Sequence, residues 1–166
     1  MDHEFFMKQA LAQAENALSR NEFPVGCVLV CEDRVIVTGS RNGTAGGGKN
    51  EVDHAEMVAL RRLDAMNPDI DRSRITLFCT MEPCLMCYGA ILLSGIGTIV
   101  YAYEDVMGGG TACDLSALPP LYSDRRIDIV PHVLRRESLD LFKAFFENPE
   151  NSYWQGSLLE RYTLEQ

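Results

Sequence analysis

Residues 75–102 read ITLFCTMEPCLMCYGAILLSGIGTIVYA and alternate between two kinds of predicted secondary structure. Ile75–Cys79 is a short apolar run typical of a buried strand. Pro83 then opens a predicted helix over Cys84–Ser94, because proline is well accepted in a first helical turn. Glycines follow that helix, and Thr98–Ala102 forms the next apolar run. A strand, a helix and a second strand in this order predict an α/β fold in which helices pack on a sheet.

The sequence on both sides extends this pattern. Two glycine-rich loops, at 43–48 and 108–110, separate the predicted elements. The further elements are a helix over Phe5–Leu18, strands over Val25–Val30 and Val35–Val37 joined by a turn at Glu32–Arg34, a helix over His54–Met66 capped by Asp53 and stopped by Asn67–Pro68, a strand over Ile127–Val130, a helix over Leu139–Phe146 capped by Ser138, and a last helix over Ser157–Tyr162. No repeat or linker divides them, so residues 1–166 are expected to form a single domain.

Composition excludes several classes of protein. The chain has 166 residues, of which 46% are hydrophobic and 23% charged, as in a folded protein rather than a disordered one. No apolar run approaches the ~18 residues of a membrane span. The net charge of -9 argues against a protein that coats nucleic acid. The acidic N-terminus lacks the features of a secretory signal, so a cytoplasmic location is expected.

Six cysteines point to metal or redox chemistry rather than to disulfide bridges. Cys84 and Cys87 are spaced so that both sulfurs can meet at one point. Together with His54 they form a ligand set that zinc accepts, and three protein ligands leave its fourth position free for water, as in catalytic sites. Glu56 lies two residues after His54 and is placed to contact such a water.

Each of these features has a simpler explanation. Glu56 could belong to a capping box with Asp53. A fourth ligand, such as Cys79 or Cys113, would make the site a structural zinc-binding module without enzymatic activity. Cys84 and Cys87 alone would suffice for a redox pair, although that would leave His54 without a role.

The combined pattern resembles a known family. His54-Ala55-Glu56, Pro83-Cys84-Leu85-Met86-Cys87 and the run Phe23–Val30 are similar to the zinc-dependent cytidine deaminase superfamily, especially its tRNA adenosine deaminase and free-base deaminase branches. The resemblance covers about residues 5–104. It implies a three-layer α-β-α sandwich with a central mixed sheet of about five strands, one zinc ion per chain and a homodimer. Residues 105–166 would supply a variable substrate loop, C-terminal helices and a possible lid.

The resemblance also implies roles for particular residues. Zinc held by His54, Cys84 and Cys87 would activate water for hydrolytic removal of an exocyclic amine as ammonia, with Glu56 moving the protons. The expected substrate contacts are Ala55, Glu82 and Pro83 beside the ligands, Phe23 and Val25 at the first core strand, Trp154 in the tail, and Asn42 as the asparagine that holds the base or sugar. Asn42-Gly43 is equally typical of a turn, and Arg41 could displace Asn42 from this role.

The substrate is predicted to be a free base, nucleoside or nucleotide. The segment after Glu147 is acidic and carries Tyr153 and Trp154, which resembles the segment that covers the pocket in guanine and cytosine deaminases. Ordinary packing of a terminal helix is the alternative for Trp154. A tRNA-specific adenosine deaminase is the alternative function, which the first core strand and the zinc helices favour and the net charge disfavours.

Overall fold

The computed structural model describes residues 1–66 and 68–166 of the chain. Within them, a single mixed sheet contains five strands in the order β2-β1-β3-β4-β5. The strands are β1 (Gly26–Cys31), β2 (Arg34–Ser40), β3 (Thr76–Met81), β4 (Thr98–Tyr103) and β5 (Asp128–Val130). β1 pairs antiparallel with β2 and β3, whereas β3–β4 and β4–β5 are parallel. The predicted mixed sheet of about five strands is confirmed.

Burial explains why the central strands are apolar throughout. Every residue of β1 and β3 is buried, because helices cover both faces of the sheet. β1 and β2 form a hairpin whose turn residues Glu32 and Asp33 have φ of 50° and 55°. Positive φ at both central residues matches the right-handed twist of the two strands.

Helices form a layer on each face of the sheet, which confirms the predicted three-layer sandwich. The described helices are α1 (His3–Ser19), α2 (Ala55–Met66), α3 (Leu85–Ser94), α4 (Pro120–Ser123), α5 (Arg135–Glu147) and α6 (Leu158–Glu165). α1 and α5 pack together and against the sheet, α2 packs on β1 and β2, and α3 packs beside α2. Gly26 lets α1 approach β1, since a Cβ there would lie 2.1 Å from the carbonyl oxygen of Ala10.

The ends of the elements differ from the predictions in a few places. Ser138 was predicted to cap a helix, but α5 begins at Arg135 and the Ser138 hydroxyl donates to the Thr80 carbonyl at 2.6 Å. Asp53 was predicted to cap the helix at His54, but its carboxylate accepts hydrogen bonds from Asn50 and Arg61. In both cases a tertiary contact takes the polar side chain.

The C-terminal ends of two predicted helices can be compared with the structure. The predicted helix stop at Asn67–Pro68 falls partly outside the described residues, because Asn67 is not among them. α3 ends as predicted, with Gly95 in the left-handed region at φ 77° and its N–H bonded to helix carbonyls.

Of the helices in residues 1–66 and 68–166, none combines the length and the hydrophobicity that a membrane span requires.

Candidate metal centre and its cavity

Two helix starts bring three metal-ligating side chains together. His54 directly precedes α2, Cys84 is the N-cap residue of α3, and Cys87 lies in the first turn of α3. The Nδ1 atom of His54 lies 3.5 Å from the Sγ atoms of both Cys84 and Cys87. All three ligand atoms fall within 4.8 Å of one another. Residues separated by 30 positions in sequence therefore converge because α2 and α3 pack side by side.

These distances fit a tetrahedral zinc ion. Zn–S bonds of about 2.3 Å and Zn–N bonds of about 2.0–2.1 Å, at a tetrahedral angle, place nitrogen and sulfur about 3.5 Å apart. Within the described residues, no fourth His, Cys, Asp or Glu joins the group. Neither Cys79 nor Cys113, the two residues considered as a fourth ligand, belongs to it. The ligand set thus has the three-residue form that zinc enzymes use.

The ionisation of the group suits a metal ion. The hydrogen bond from the Cys87 thiol, opposed by burial and assisted by His54, lowers the pKa of Cys84 to about 4. The hydrogen bond with Cys84, together with burial, raises the pKa of Cys87. Burial lowers the pKa of His54, but Cys84 and the charge of Glu56 more than compensate and raise it. Without metal the pair therefore holds one thiolate and one thiol, and metal binding would release the second proton.

Glu56 is buried beside this group. Only 3% of the residue is exposed, and its burial raises the pKa of the carboxyl group. The side chain lines the same cavity as His54 and Cys84. Because α2 begins at Ala55, the carboxyl lies in the first turn of the helix, where the dipole favours a negative charge.

A cavity of about 380 Å³ opens from the metal ligands. This volume is within the usual range for small-molecule sites, about 300–1,000 Å³. Of the expected site residues, those that line it besides the ligands are Phe23, Val25, Glu56, Glu82 and Trp154. Lining residues that the sequence did not suggest are Glu51, Met81, Asp105, Met107, Gly108 and Leu159.

Three expected contacts lie elsewhere. Ala55 is fully buried between α2 and β2, and Gly39 leaves room for it because a Cβ at Gly39 would clash with the Ala55 carbonyl. Pro83 uses its carbonyl to accept a hydrogen bond from the Gly110 N–H at 2.9 Å. Asn42 is exposed and does not line the cavity, so the structure does not support its expected contact with the base.

Arg41 takes the place in the cavity wall that was expected for Asn42. It is only 2% exposed. Its Nη1 atom donates to the carbonyl oxygens of Asn42 (2.5 Å) and Asp53 (3.1 Å). Its Nη2 atom donates to the carbonyl oxygen of Asn50 (2.5 Å) and to the Tyr153 hydroxyl (3.3 Å). The guanidinium therefore joins the loop before α2 to the C-terminal segment.

Glu82 lines the cavity but also binds the second glycine-rich loop. Its carboxylate accepts hydrogen bonds from the N–H of Asp105 at 3.1 Å and from the hydroxyl and N–H of Thr111. The carboxylate therefore holds the loop that carries Asp105 and Met107 against the cavity. Asp105 is the second residue after β4, and a position at the carboxyl end of a parallel strand is the sequence signal that would have identified it.

The C-terminal segment supplies the remaining wall. Tyr153 packs edge-on against Phe23, with ring centroids 5.2 Å apart, and its hydroxyl donates to Glu51 at 2.9 Å. Trp154 has a φ of 58° and remains 42% exposed. A bulky residue in the left-handed region is uncommon, and such strained residues concentrate at functional sites.

Comparisons with known proteins agree with this geometry. Residues 1–103 match the family model described as the cytidine and deoxycytidylate deaminase zinc-binding region. A tRNA-specific adenosine deaminase of Streptococcus pyogenes (serotype M18) is 30% identical over 142 residues, which cover 86% of this chain and 88% of the relative.

Two solved structures share the fold. A tRNA:A34 deaminase that edits A to I at the wobble position superposes with a TM-score of 0.64 and 26% identity, over 82% of this chain and 98% of that chain. Guanine deaminase from Nitrosomonas europaea superposes with a TM-score of 0.67 and 21% identity, over 86% of this chain and 83% of that chain. With the matched family model and the three converging zinc ligands, these results show that the chain belongs to the zinc-binding cytidine and deoxycytidylate deaminase family.

Proposed function

We propose that this protein is a zinc-dependent hydrolytic deaminase that removes the exocyclic amino group of a free base, nucleoside or nucleotide. The observation that carries the proposal is the cavity itself. It begins at His54, Cys84 and Glu56 and is walled by Tyr153 and Trp154 of the C-terminal segment. A chain segment in that position suits a small molecule more than a polymer, and it would also exclude bulk water.

The metal ligands and Glu56 would divide the chemistry between them. Zinc held by His54, Cys84 and Cys87 would act as a Lewis acid and lower the pKa of a coordinated water to about 7. Glu56 would take a proton from the attacking water and deliver it to the ring nitrogen beside the carbon under attack. It would then take the proton of the hydroxyl group formed by the attack and pass it to the departing amine, so that ammonia leaves and a carbonyl remains. Burial of Glu56 supports this role, since its raised pKa eases proton uptake.

Backbone groups beside the ligands would orient the reacting atoms. The first N–H groups of a helix have no partner within the helix, and Ala55 begins α2. Ala55 itself is buried and does not line the cavity, so the support for a contact of its N–H with the water or substrate is its position directly after His54. The turn from Glu82 to Cys84, before α3, offers a second set of backbone groups for the amine.

Deamination of tRNA adenosine is the second candidate. It is favoured by the 30% identity to a tRNA-specific adenosine deaminase over 86% of this chain. A deaminase that acts on a polynucleotide must receive an extruded base in its pocket. Binding of an anticodon stem would also require a basic surface, whereas this chain has a net charge of -9.

One experiment separates the candidates. The zinc-loaded protein is incubated with cytosine, guanine, adenine, their nucleosides and nucleotides, and a transcribed tRNA, and ammonia is measured. Release from a small molecule supports the proposal. Release from tRNA alone would establish the second candidate, and a protein that binds zinc but acts on no substrate would indicate a structural module.

The assembly and the location are also proposals. We expect a homodimer, because the helix α3 leaves Leu85 and Leu93 exposed at 64% and 50%. We expect a cytoplasmic enzyme, because all six cysteines are free and reducing compartments keep them so. Light scattering of the purified protein at micromolar concentration would test the dimer, and a molar mass of one chain would reject it.

A further inference from the structure

The charges that line the cavity are mostly negative. Within residues 1–66 and 68–166, the lining carries four carboxylates and a single guanidinium, that of Arg41. The carboxylates belong to Glu51, Glu56, Glu82 and Asp105. A zinc ion held by two thiolates and a neutral imidazole would add no net charge. The cavity therefore presents an excess of negative charge to its ligand.

Arg41 is not free to bind an anion. Its terminal nitrogens donate to three backbone carbonyls and to the Tyr153 hydroxyl, and it is 2% exposed. Phosphate sites in proteins use arginine or lysine groups that are available for direct hydrogen bonds. The buried guanidinium instead supports the loop before α2 and the position of Tyr153.

Glu51 is the most exposed of these four carboxylates and keeps an acceptor atom available at the surface of the cavity. Its side chain is 55% exposed and its Oε2 atom accepts the Tyr153 hydroxyl at 2.9 Å. Among the described residues, no hydrogen bond or ion pair involves Oε1. Asp105 is less exposed and its Oδ1 atom accepts two backbone N–H groups of its own loop, and Glu82 holds Thr111.

We infer that the cavity selects an uncharged free base or nucleoside over a nucleotide, and that Glu51 is the residue that determines this preference. The inference rests on the proposed deaminase function and narrows its substrate. A free base offers the ring N–H that a sugar replaces in a nucleoside, and a nucleoside offers ribose hydroxyls. Both are donors that suit the free carboxylate oxygen. A nucleotide keeps ribose hydroxyls but adds a phosphate group, whose negative charge the cavity carboxylates would repel.

Two substrate series test the inference. The zinc-loaded protein is assayed with cytosine, cytidine and cytidine monophosphate, and with guanine, guanosine and guanosine monophosphate. We expect kcat/KM for each monophosphate to be at least about 100-fold below the best uncharged member of its series. Which uncharged member is best shows whether Glu51 accepts a ring N–H or a ribose hydroxyl.

Variants of Glu51 separate specificity from structure. Glu51→Gln keeps an oxygen for the Tyr153 hydroxyl, so we expect KM for the uncharged substrate to rise about tenfold with kcat within about threefold. Glu51→Lys is expected to narrow the gap between nucleoside and monophosphate. Glu150→Gln is the matched control, because Glu150 is exposed and does not line the cavity.

Binding without turnover makes the test independent of the reaction. Calorimetric titration of the zinc-loaded Glu56→Gln variant with each member of the two series should show binding of the base or nucleoside and weaker binding of the monophosphate. A monophosphate that binds or reacts best would overturn the inference and leave the proposed function standing. Ammonia from tRNA alone would overturn both, and an unchanged KM in Glu51→Gln would remove Glu51 from its role.

Discussion

The metal group (His54, Cys84 and Cys87) and the loop wall (Arg41, Glu51, Tyr153 and Trp154) border one cavity but are built differently. The metal group sits at two helix starts that follow the packed sheet, so its geometry is set by short sequence motifs. The loop wall joins residues about 100 positions apart through side chains. On the proposed function, the chemistry would lie on the rigid scaffold and the selection of substrate would depend on a long-range contact.

The largest effect is expected from breaking the metal group. Cys87→Ser replaces a thiolate by a hydroxyl that zinc binds poorly, so zinc content should fall from about one per chain to below about 0.1, with loss of activity. Elemental analysis after dialysis measures the zinc content per chain. Cys113→Ser is the matched control, because Cys113 is free and lies outside the group. Full zinc retention in Cys87→Ser would contradict the three-ligand site.

Glu56→Gln should leave the metal in place and remove the proton carrier. The expected loss in kcat is about 10²–10⁴, the usual contribution of a positioned acid–base group. Kinetics and zinc content are measured together, with Glu150→Gln as the control. If kcat stayed within threefold of the parent protein, another group would have to move the protons.

The sequence predicted the metal group well because each ligand lies in a local pattern. It named Asn42, with Arg41 as the alternative, and the structure places Arg41 in the cavity wall. Both residues follow the end of β2 at Ser40, so no strand alternation determines which of them faces the cavity. Glu51 was not predicted because the sequence of a loop does not indicate which distant side chains its residues will contact.

Arg41→Met tests the loop wall without touching the metal group. It leaves the partly buried carbonyls of Asn42 and Asn50 without a donor, and each such loss costs about 1–3 kcal/mol, whereas the Asp53 carbonyl keeps the Asn42 N–H at 3.3 Å. Because water can reach part of this loop, we expect the free energy of unfolding to fall by about 3 kcal/mol and KM to rise more than kcat falls. Urea unfolding of the zinc-loaded protein measures the change in the free energy of unfolding. A change below about 0.5 kcal/mol would mean that the loop holds its shape without Arg41.

The hydrogen bonds that Glu104 accepts from Arg135 of α5 and Tyr162 of α6 should make the stability of the fold depend on pH. Partial burial of Glu104 raises its pKa, but hydrogen bonds from Arg135 and Tyr162 outweigh this and hold it at about 2. A lowered pKa stabilises the fold fully above the ordinary value near 4.5 and loses that stabilisation as the pH falls towards 2. Glu104→Gln should therefore lower the free energy of unfolding by about 1–2 kcal/mol at neutral pH, and by less below pH 4.

The difference between parent and Glu104→Gln isolates this group from the other carboxylates that titrate in the same range. Urea unfolding at several pH values between 7 and 3 gives that difference. Glu137→Gln is the control, because Glu137 lies on α5 close to Arg135, forms none of the described ion pairs and is exposed. A difference that does not change with pH would show that Glu104 is not held ionised by its partners.

The smallest effect on stability is expected at Trp154, because replacing it relieves backbone strain but also removes the packing of its side chain. A tryptophan at φ 58° costs about 1–2 kcal/mol relative to glycine, which adopts this conformation freely. Trp154→Gly relieves that strain but loses the packing of the indole on Tyr153, at a centroid distance of 5.3 Å. We therefore expect a change in unfolding free energy below about 1 kcal/mol, with KM raised severalfold. Trp154→Ala keeps the strain and loses the ring, so it should be less stable than Trp154→Gly by about 1 kcal/mol. If both variants kept the parent KM, the strain at Trp154 would serve the path of the chain and not the substrate.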